Sequence, residues 1–395
     1  MKLIELHILQ SFPVSCLNRD DVGAPKQAIF GGATRARISS QCLKRAIREY
    51  VKDPDHGLTH GRFGGIRSKL VAVALEKELK DKHKFSAADA GKLARSIAGR
   101  INKKEGKPLA DDEKETETLI FFSPAEVEHL AAEGATAVQN GSEGLTKEQV
   151  AESIKKVAFY DAADIALFGR MVAAEPSLTV EGAALFSHAL STHTADNDID
   201  FFAAVDEGKD KTKDAGAGMI DTLQFTSACY YRYAALNLDL LFYQTPTNGR
   251  PAATLSCFAG EEHKQTRRNV VDAFIRATIR AVPGARKNSM NAHTSPDYVL
   301  GLVKDKGQPV QLINAFEKPI RSFGGSGFLE PSVREGLLHL QKLDRFLGET
   351  ASVRISTGTY CPEPDSRDEA KLTKEMIPEH VNLATFCERI LAHVD

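Results

Sequence analysis

No stretch of about 18 consecutive apolar residues occurs in the 395-residue chain, which excludes a membrane-spanning helix. Cysteine is sparse and scattered. The six, at positions 16, 42, 229, 257, 361 and 387, include no pair at two-residue spacing, which excludes a zinc knuckle and favours free thiols over a disulfide framework. No Gly-Lys-Ser/Thr follows the glycine-rich run Phe323-Gly324-Gly325-Ser326-Gly327-Phe328, so a phosphate loop for nucleotide hydrolysis is missing. Met1-Lys2-Leu3-Ile4-Glu5 lacks the apolar run of a secretory signal, which points to the cytoplasm. Net charge is also small, 51 Lys and Arg against 53 Asp and Glu, a balance of −2. With 42% apolar and 26% charged residues the composition is that of a folded protein. The length allows two or three domains, or one domain carrying large insertions.

The charge is unevenly placed. Residues 16–52 hold eight basic and three acidic side chains, a local +5, and residues 263–290 hold seven basic and one acidic, a local +6. Residues 361–395 compensate with a local −4. Two concentrated basic zones in a neutral chain form a footprint for a polyanion, or else two solvated helices.

Along the chain, residues 3–9 alternate as a short strand, with Ile4, Leu6 and Ile8 on one face and Glu5 and His7 on the other. A long polar loop follows, from Gln10 to Arg37, of a length usually reserved for function. Ser39 then caps a helix whose apolar face is Leu43, Ala46, Ile47, Tyr50 and Val51, with Pro54 just past its end. Ser40, Lys44 and Arg48 recur every four residues and line one side with Gln41 and Arg45. A helix N-terminus behind a basic, glycine-containing loop suits a phosphate, since free backbone N–H groups and the helix dipole both favour an anion. Residues 58–192 read as mostly helical with a polar break over 134–146. Residues 193–223 read as a protruding hairpin whose apolar flanks, Phe201 to Val205 and Met219 to Leu223, have no core of their own. A long strand over 223–238 places Phe225, Cys229, Tyr231 and Tyr233 on one face, and a helix over 264–282 ends at Pro283-Gly284. Two short strands joined near Ser295-Pro296 are expected over 285–303, giving an α+β sandwich of ferredoxin-like type with inserted subdomains.

Several constellations admit two uses. His188 and His193 with Asp196, Asp198 and Asp200 match no common ligand spacing, so capping contacts rather than a metal are expected. Asp20 and Asp21 beside Arg19 suit metal-assisted phosphodiester cleavage, or else pair with the arginines of their loop. Arg268, Asp272, Arg276 and Arg280 are spaced for mutual salt bridges as much as for phosphates. The tyrosines of the 223–238 strand are placed either to stack bases or to pack beneath a helix.

Longer motifs carry a resemblance. Ser15 to Asp21, Lys26 to Gly32 and Arg35 to Ala46 come first, then Asp164 to Met171, Thr192-His193 and Asp198 to Phe202. Gln224 to Tyr233, Val282 to Arg286 and Asn314 to Lys318 complete the series. In this order they resemble the CasC family of the RAMP superfamily, the repeated backbone subunit of the type I-E CRISPR surveillance complex Cascade. The resemblance is weakest across residues 55–155 and after about residue 340.

It implies an α+β fold: an RRM-like (ferredoxin-like) palm over 1–57 and 224–395 with a C-terminal extension, helical fingers over 58–192, and a β-hairpin thumb over 193–223. It implies a non-enzymatic subunit that polymerises in about six copies along a CRISPR RNA and leaves short segments for pairing with target DNA, without cofactor or metal. Its partners would be the CRISPR RNA, the target strand, copies of itself and other Cascade subunits. Arg19, Lys26, Ser39, Ser40, Gln41, Lys44, Arg45 and Arg48 match positions that hold the RNA backbone, and Met171 matches the residue against the kinked RNA. Phe202, Val205 and Ile220 match the apolar thumb positions, and Ala203 stands where the family carries threonine. The alternatives are a metal-dependent endoribonuclease of a CRISPR backbone type using Asp20 or Asp21, and a general RNA chaperone.

Overall fold

Apolar residues at positions 4, 6, 8, 12 and 14 lie on one side of a 13-residue strand, β1 (Leu3–Ser15), longer than the alternation over 3–9 foretells. A computed structural model of the chain describes residues 1–102, 106–157, 160–204, 219–242, 260–284, 286–322, 325, 327–348, 351–365 and 372–394. The further strands are β2 (Gln27–Phe30), β3 (Ala33–Ile38), β4 (Ile66–Ser68), β5 (Ile120–Phe122), β6 (Ala184–Phe186), β7 (Ala189–Ser191), β8 (Asp198–Ala204), β9 (Met219–Asn237), β10 (Tyr298–Lys304), β11 (Val353–Thr357) and β12 (Glu379–His380). The helices are α1 (Ser40–Lys52), α2 (Val71–Asp81), α3 (Ala87–Asn102), α4 (Pro124–Gln139), α5 (Lys147–Lys156), α6 (Ala163–Phe168), α7 (Leu238–Phe242), α8 (Lys264–Arg280), α9 (Leu329–Leu347) and α10 (Leu383–Leu391). None of the described helices is long and apolar enough to cross a membrane.

Ten strands form one mixed sheet in the order β12-β11-β10-β1-β9-β7-β3-β2, with β6 and β8 also paired to β9. Strand β1 lies antiparallel to both β10 and β9, so it is central and must be covered on both faces. Ile4, Leu6 and Ile8 meet Ile47 of α1, Phe274 of α8 and Phe386 of α10 on one side. Leu9, Tyr231 and Tyr233 meet Phe316 and the Val333–Leu337 face of α9 on the other. The tyrosines of the long strand are therefore packed beneath a helix, and their role as an open base-stacking platform is excluded. Helices α2 to α5 bury a separate core around Leu75, Leu93, Ile97 and Leu130, with the β4–β5 pair at its edge.

Three sequence expectations need correction. The Gln10–Arg37 loop contains the β2–β3 hairpin, because Gln27–Phe30 and Ala33–Ile38 pair across the Gly31-Gly32 turn. Gly31 adopts φ +59 within contact of Glu317, where any Cβ would collide with the carbonyl oxygen. The break expected over 134–146 begins only after Gln139, since Gly134 lies inside α4 and its lack of a side chain lets α3 residues Leu93 and Ile97 approach. Over 285–303, β10 is the only strand among the described residues. Ahead of it, side chains replace a ladder: Gln10 Nε2 donates to Thr294 O (2.7 Å), and Ser11 N donates to the Asp297 carboxylate (2.7 Å).

The polar face of β1 is buried instead of solvated. Glu5 is 0% exposed; Lys304 Nζ lies 2.6 Å from its Oε2, and Tyr233 Oη and Val310 N donate to its Oε1. Tyr231 Oη accepts from Leu312 N (2.8 Å) and shares a hydrogen bond with His7 Nδ1 at 2.9 Å. Burial, with a smaller push from Lys304 against a pull from Glu5, lowers the His7 pKa from 6.5 to about 4.

Arg35 is 0% exposed and donates to five backbone carbonyls: Phe30 of its own hairpin, Ser191 and Thr192 at the end of β7, and Phe316 and Glu317. Its hydrogen bonds all go to carbonyl oxygens, and the Glu317 carboxylate and the Phe30 ring add further attraction for its charge.

Two outcomes follow from these buried groups. Lys lacks the planar fork that reaches several carbonyls, so Arg35→Lys is expected to lower unfolding free energy by roughly 2–4 kcal/mol in urea titrations. The unfolded chain binds the His7 proton more readily than the folded one between pH 6.5 and about 4, so stability is full above the upper value and falls as pH drops through this window. His7→Gln keeps an acceptor for Tyr231 without titrating. It is expected to remove about 3 kcal/mol of the pH-dependent loss, measured as denaturation midpoints against pH.

Candidate nucleic-acid interface

The sequence of α1 sets its own start. Ser39 Oγ accepts from Cys42 N, and Ser39 N is itself held by Asn18 Oδ1 at 2.9 Å, which pins the preceding loop to the helix cap. That loop is closed by Lys26 N to Asn18 O (2.9 Å) and by Asp20 Oδ1, which accepts from Val22 N (3.0 Å) and Ala24 N (2.9 Å). Asp20 therefore braces its own turn, while Asp21 stands exposed beside it. Asn197 Nδ2 reaches Pro25 O (3.2 Å) and ties the base of the β8–β9 hairpin to the same loop.

The first turn of α1 differs from the open anion site its sequence suggests. Ser40 N donates to His188 Nδ1 (3.0 Å), Cys42 N to Ser39 Oγ (3.3 Å) and Leu43 N to Ser39 O (3.1 Å). Attraction for an anion therefore rests chiefly on side chains. Burial, then the charges of Arg37 and Lys26, hold the His188 pKa below its ordinary value; Arg45 and Lys26 act on Cys42, whose thiol burial pushes up. Lys26, Arg37 and Arg45 thus converge on the start of the helix.

Position along α1 decides what each cation does. Arg45 is exposed and forms an i,i+4 pair with Glu49 (2.7 Å). Lys44 is half-buried with Nζ 5.5 Å from the Phe186 ring centroid, and burial lowers its pKa. Arg48 turns inward: Nε lies 3.1 Å from the fully buried Asp164 carboxylate, Nη2 donates to Gly65 O, and its guanidinium covers Phe121 at 4.4 Å. It joins α1 to the helical insertion and has little left for a ligand. Gln41 is exposed at the first turn, and Arg19 is exposed in the loop.

Met171 is 79% exposed, displayed by a neighbour with the opposite habit. Arg170 is buried, pairs with Glu126 at 2.6 Å and donates to Phe121 O and Leu178 O. Phe121, whose carbonyl Arg170 holds, also lies under the Arg48 guanidinium. On the hairpin, Phe201 is 73% and Phe202 41% exposed, and Ala203 pairs with Ile220 in the β8–β9 ladder. Val205 lies outside the described residues, as do Phe323, Gly324 and Ser326 of the glycine-rich run.

A cleft of about 740 Å³ opens beside this helix, lined by Asn18, Arg19, Cys42, Arg45, Pro283 and Lys287, among others. It brings the end of the second basic stretch against the first. Part of that stretch is used internally: Arg276 pairs with Asp272 at 2.7 Å, and Arg267 is buried over the Phe242 ring, while Lys264 and Arg280 are exposed. His193 is likewise internal, accepting from Cys229 N and stacked on Phe328 at 3.7 Å. Among the described residues no group of three or more His, Cys, Asp or Glu side chains is arranged to hold a metal ion.

The profile of the family described as CT1975-like protein matches residues 4–383. The chain belongs to the CT1975-like family. Across 100% of both chains it is similar, at 26% identity and a TM-score of 0.78, to a solved chain titled "CRISPR RNA-guided surveillance complex, pre-nicking". A second chain, titled "CRISPR RNA-guided surveillance complex", shares the fold with a TM-score of 0.68 and 24% identity over 99% of both chains. No curated protein matches.

In this CT1975-like chain, three contributors to the site escape a linear reading: Arg37, His188 and Lys287. Arg37 sits inside a predicted loop whose strand pairing was not foreseen, His188 is 148 residues from the Ser40 N–H it accepts from, and Lys287 reaches the cleft only through the return from α8. The basic count over 263–290 was the one available signal for the last.

Arg48→Ala leaves Asp164 buried with only Lys52, at 3.9 Å, and Gly65 N for company. A stability loss of roughly 3 kcal/mol is expected, visible as a lower urea midpoint.

Proposed function

We propose that this chain is a CRISPR RNA-binding backbone subunit of a type I-E Cascade surveillance complex. The observation that carries the reading is the convergence of Arg19, Lys26, Arg37, Lys44 and Arg45 on one loop and the first turns of α1. These cations, with Ser40 and Gln41, offer phosphate contacts, and such contacts hold a guide without regard to its sequence. The family membership and the surveillance-complex titles of the similar structures support the same assignment.

The palm is read as RRM-like. In the order β10-β1-β9-β6 the strands are antiparallel, with α1 and α8 on one face, which is the ferredoxin-like arrangement. The 19-residue β9 runs from the palm into the hairpin, a rod about 60 Å long. Exposed Phe201 and Phe202 on its partner strand would dock on the next copy and displace one guide nucleotide, with Met171 against the kink. Several copies would then present the guide in segments for pairing with target DNA beside the other Cascade subunits. The role is non-enzymatic. Asp20, the first candidate for a nuclease, braces its own turn, with Oδ1 accepting from two backbone N–H groups.

Lys44→Ala and Arg19→Ala are each expected to weaken binding of unrelated RNA sequences equally and to reduce the slope of log affinity against log salt by about one. Salt-series filter binding measures this; unchanged affinity and slope in both variants would remove the assignment.

A further inference from the structure

A second cleft, of about 500 Å³, lies where the far end of α1 meets the helical insertion, lined by Lys52, Thr59, Arg62, Phe63, Tyr160 and Asp161, among others. Its walls are fastened together by backbone bonds: Gly64 N donates to Asp161 O (2.8 Å), Ala163 N to Arg62 O (2.9 Å), and Phe63 and Ala162 form a β-bridge. The shape is therefore built rather than a chance gap between loops.

The chemistry of the lining is mixed in a particular way. Arg62 is exposed and holds a left-handed backbone, φ +56, which a non-glycine residue adopts at a cost and mainly where surroundings impose it. Its Nη1 approaches Tyr160 O at 3.4 Å, which places the guanidinium beside that residue. Tyr160 is 42% exposed with its ring 5.3 Å from the His263 ring. Asp161 Oδ2 accepts from Ala125 N, while its Oδ1 is buried with no hydrogen-bond partner among the described residues. Lys52 continues the Lys44–Arg48 line of α1 one turn further, with Nζ donating to Gly65 O.

We propose that this cleft seats one unpaired nucleotide of single-stranded nucleic acid, its phosphate on Arg62 and Lys52 and its base against Tyr160. An aromatic face beside two cations is the complement of a nucleotide rather than of a simple anion. The volume suits a ligand of that size. The eight-residue step from Lys44 to Lys52 spans about 12 Å along the helix, roughly two phosphate steps, so one strand can occupy both sites. The proposal rests on the RNA-binding reading for its strand, and the test separates the two.

Fluorescein-labelled oligouridine and oligothymidine of about twelve nucleotides are titrated with the full chain by anisotropy. The variants are Arg62→Gly, Tyr160→Ala, Tyr160→Phe and Lys44→Ala. Arg62→Gly relieves the left-handed backbone while removing the cation, so a folded variant is assured without relying on Tyr160→Ala. Arg62→Gly and Tyr160→Ala are expected to weaken binding roughly fivefold or more, and Tyr160→Phe to retain it, because stacking needs the ring and not the hydroxyl. A loss confined to oligouridine assigns the nucleotide to RNA, one confined to oligothymidine to DNA, and either supports the site. Unchanged affinity in Arg62→Gly and Tyr160→Ala beside a weakened Lys44→Ala overturns the cleft while leaving the RNA-binding reading intact; unchanged affinity in all of them overturns both. A photo-crosslink from position 160 to a protein rather than to the oligonucleotide also overturns it.

Discussion

A single buried guanidinium sets the frame in which the rest of the sheet is assembled. Arg35 draws carbonyls from the β2–β3 hairpin, the end of β7 and the 316–317 turn onto one planar group, so three segments distant in sequence share one fixed point. A guanidinium suits this because its five donors diverge in a plane and it is less strongly hydrated than an ammonium. The same convergence brings Gly31 against Glu317, which explains why the hairpin turn requires glycine there. With the hairpin fixed, β3 delivers Ser39 to the start of α1 and Arg37 to its flank.

Near-neutral net charge conceals a division of labour among arginines. Arg35, Arg170, Arg232 and Arg267 are buried and serve the fold; Arg232, for example, donates to Gln10 Oε1 and Thr278 O, and burial lowers its pKa to about 10. Arg48 stands between the classes, bridging α1 to Asp164 in the insertion. Arg19 and Arg45 remain at the surface with Lys287 across the cleft. Burial, and not spacing along the chain, sorts these groups, since a buried cation must find acceptors within the protein whereas an exposed one keeps its field for a partner.

Much of this was readable beforehand. The Ser39 cap, the buried face of α1, the long tyrosine-bearing strand, the helix after Lys264 and the antiparallel arms of the hairpin all follow from period, capping chemistry and turn residues acting over a few positions. What the sequence does not display is the choice of distant partners. Glu5 and His7 lie on the polar face of their strand, yet they are buried on the α9 side, satisfied by Tyr233, Tyr231 and a lysine about 300 residues away. The α1 N-terminus looks open but is partly closed by His188 and by its own cap.

The sequence alone therefore determined the local elements, the placement of basic residues and, through its ordered motifs, a kinship with subunits of CRISPR surveillance complexes. Tertiary structure alone decided which cations face outward, which carboxylates are braces, and that the two basic stretches meet at one cleft. The reason is range: helix and strand preferences are settled by neighbours within one or two turns, whereas burial and electrostatic partnership are settled by whichever segments the sheet order brings side by side.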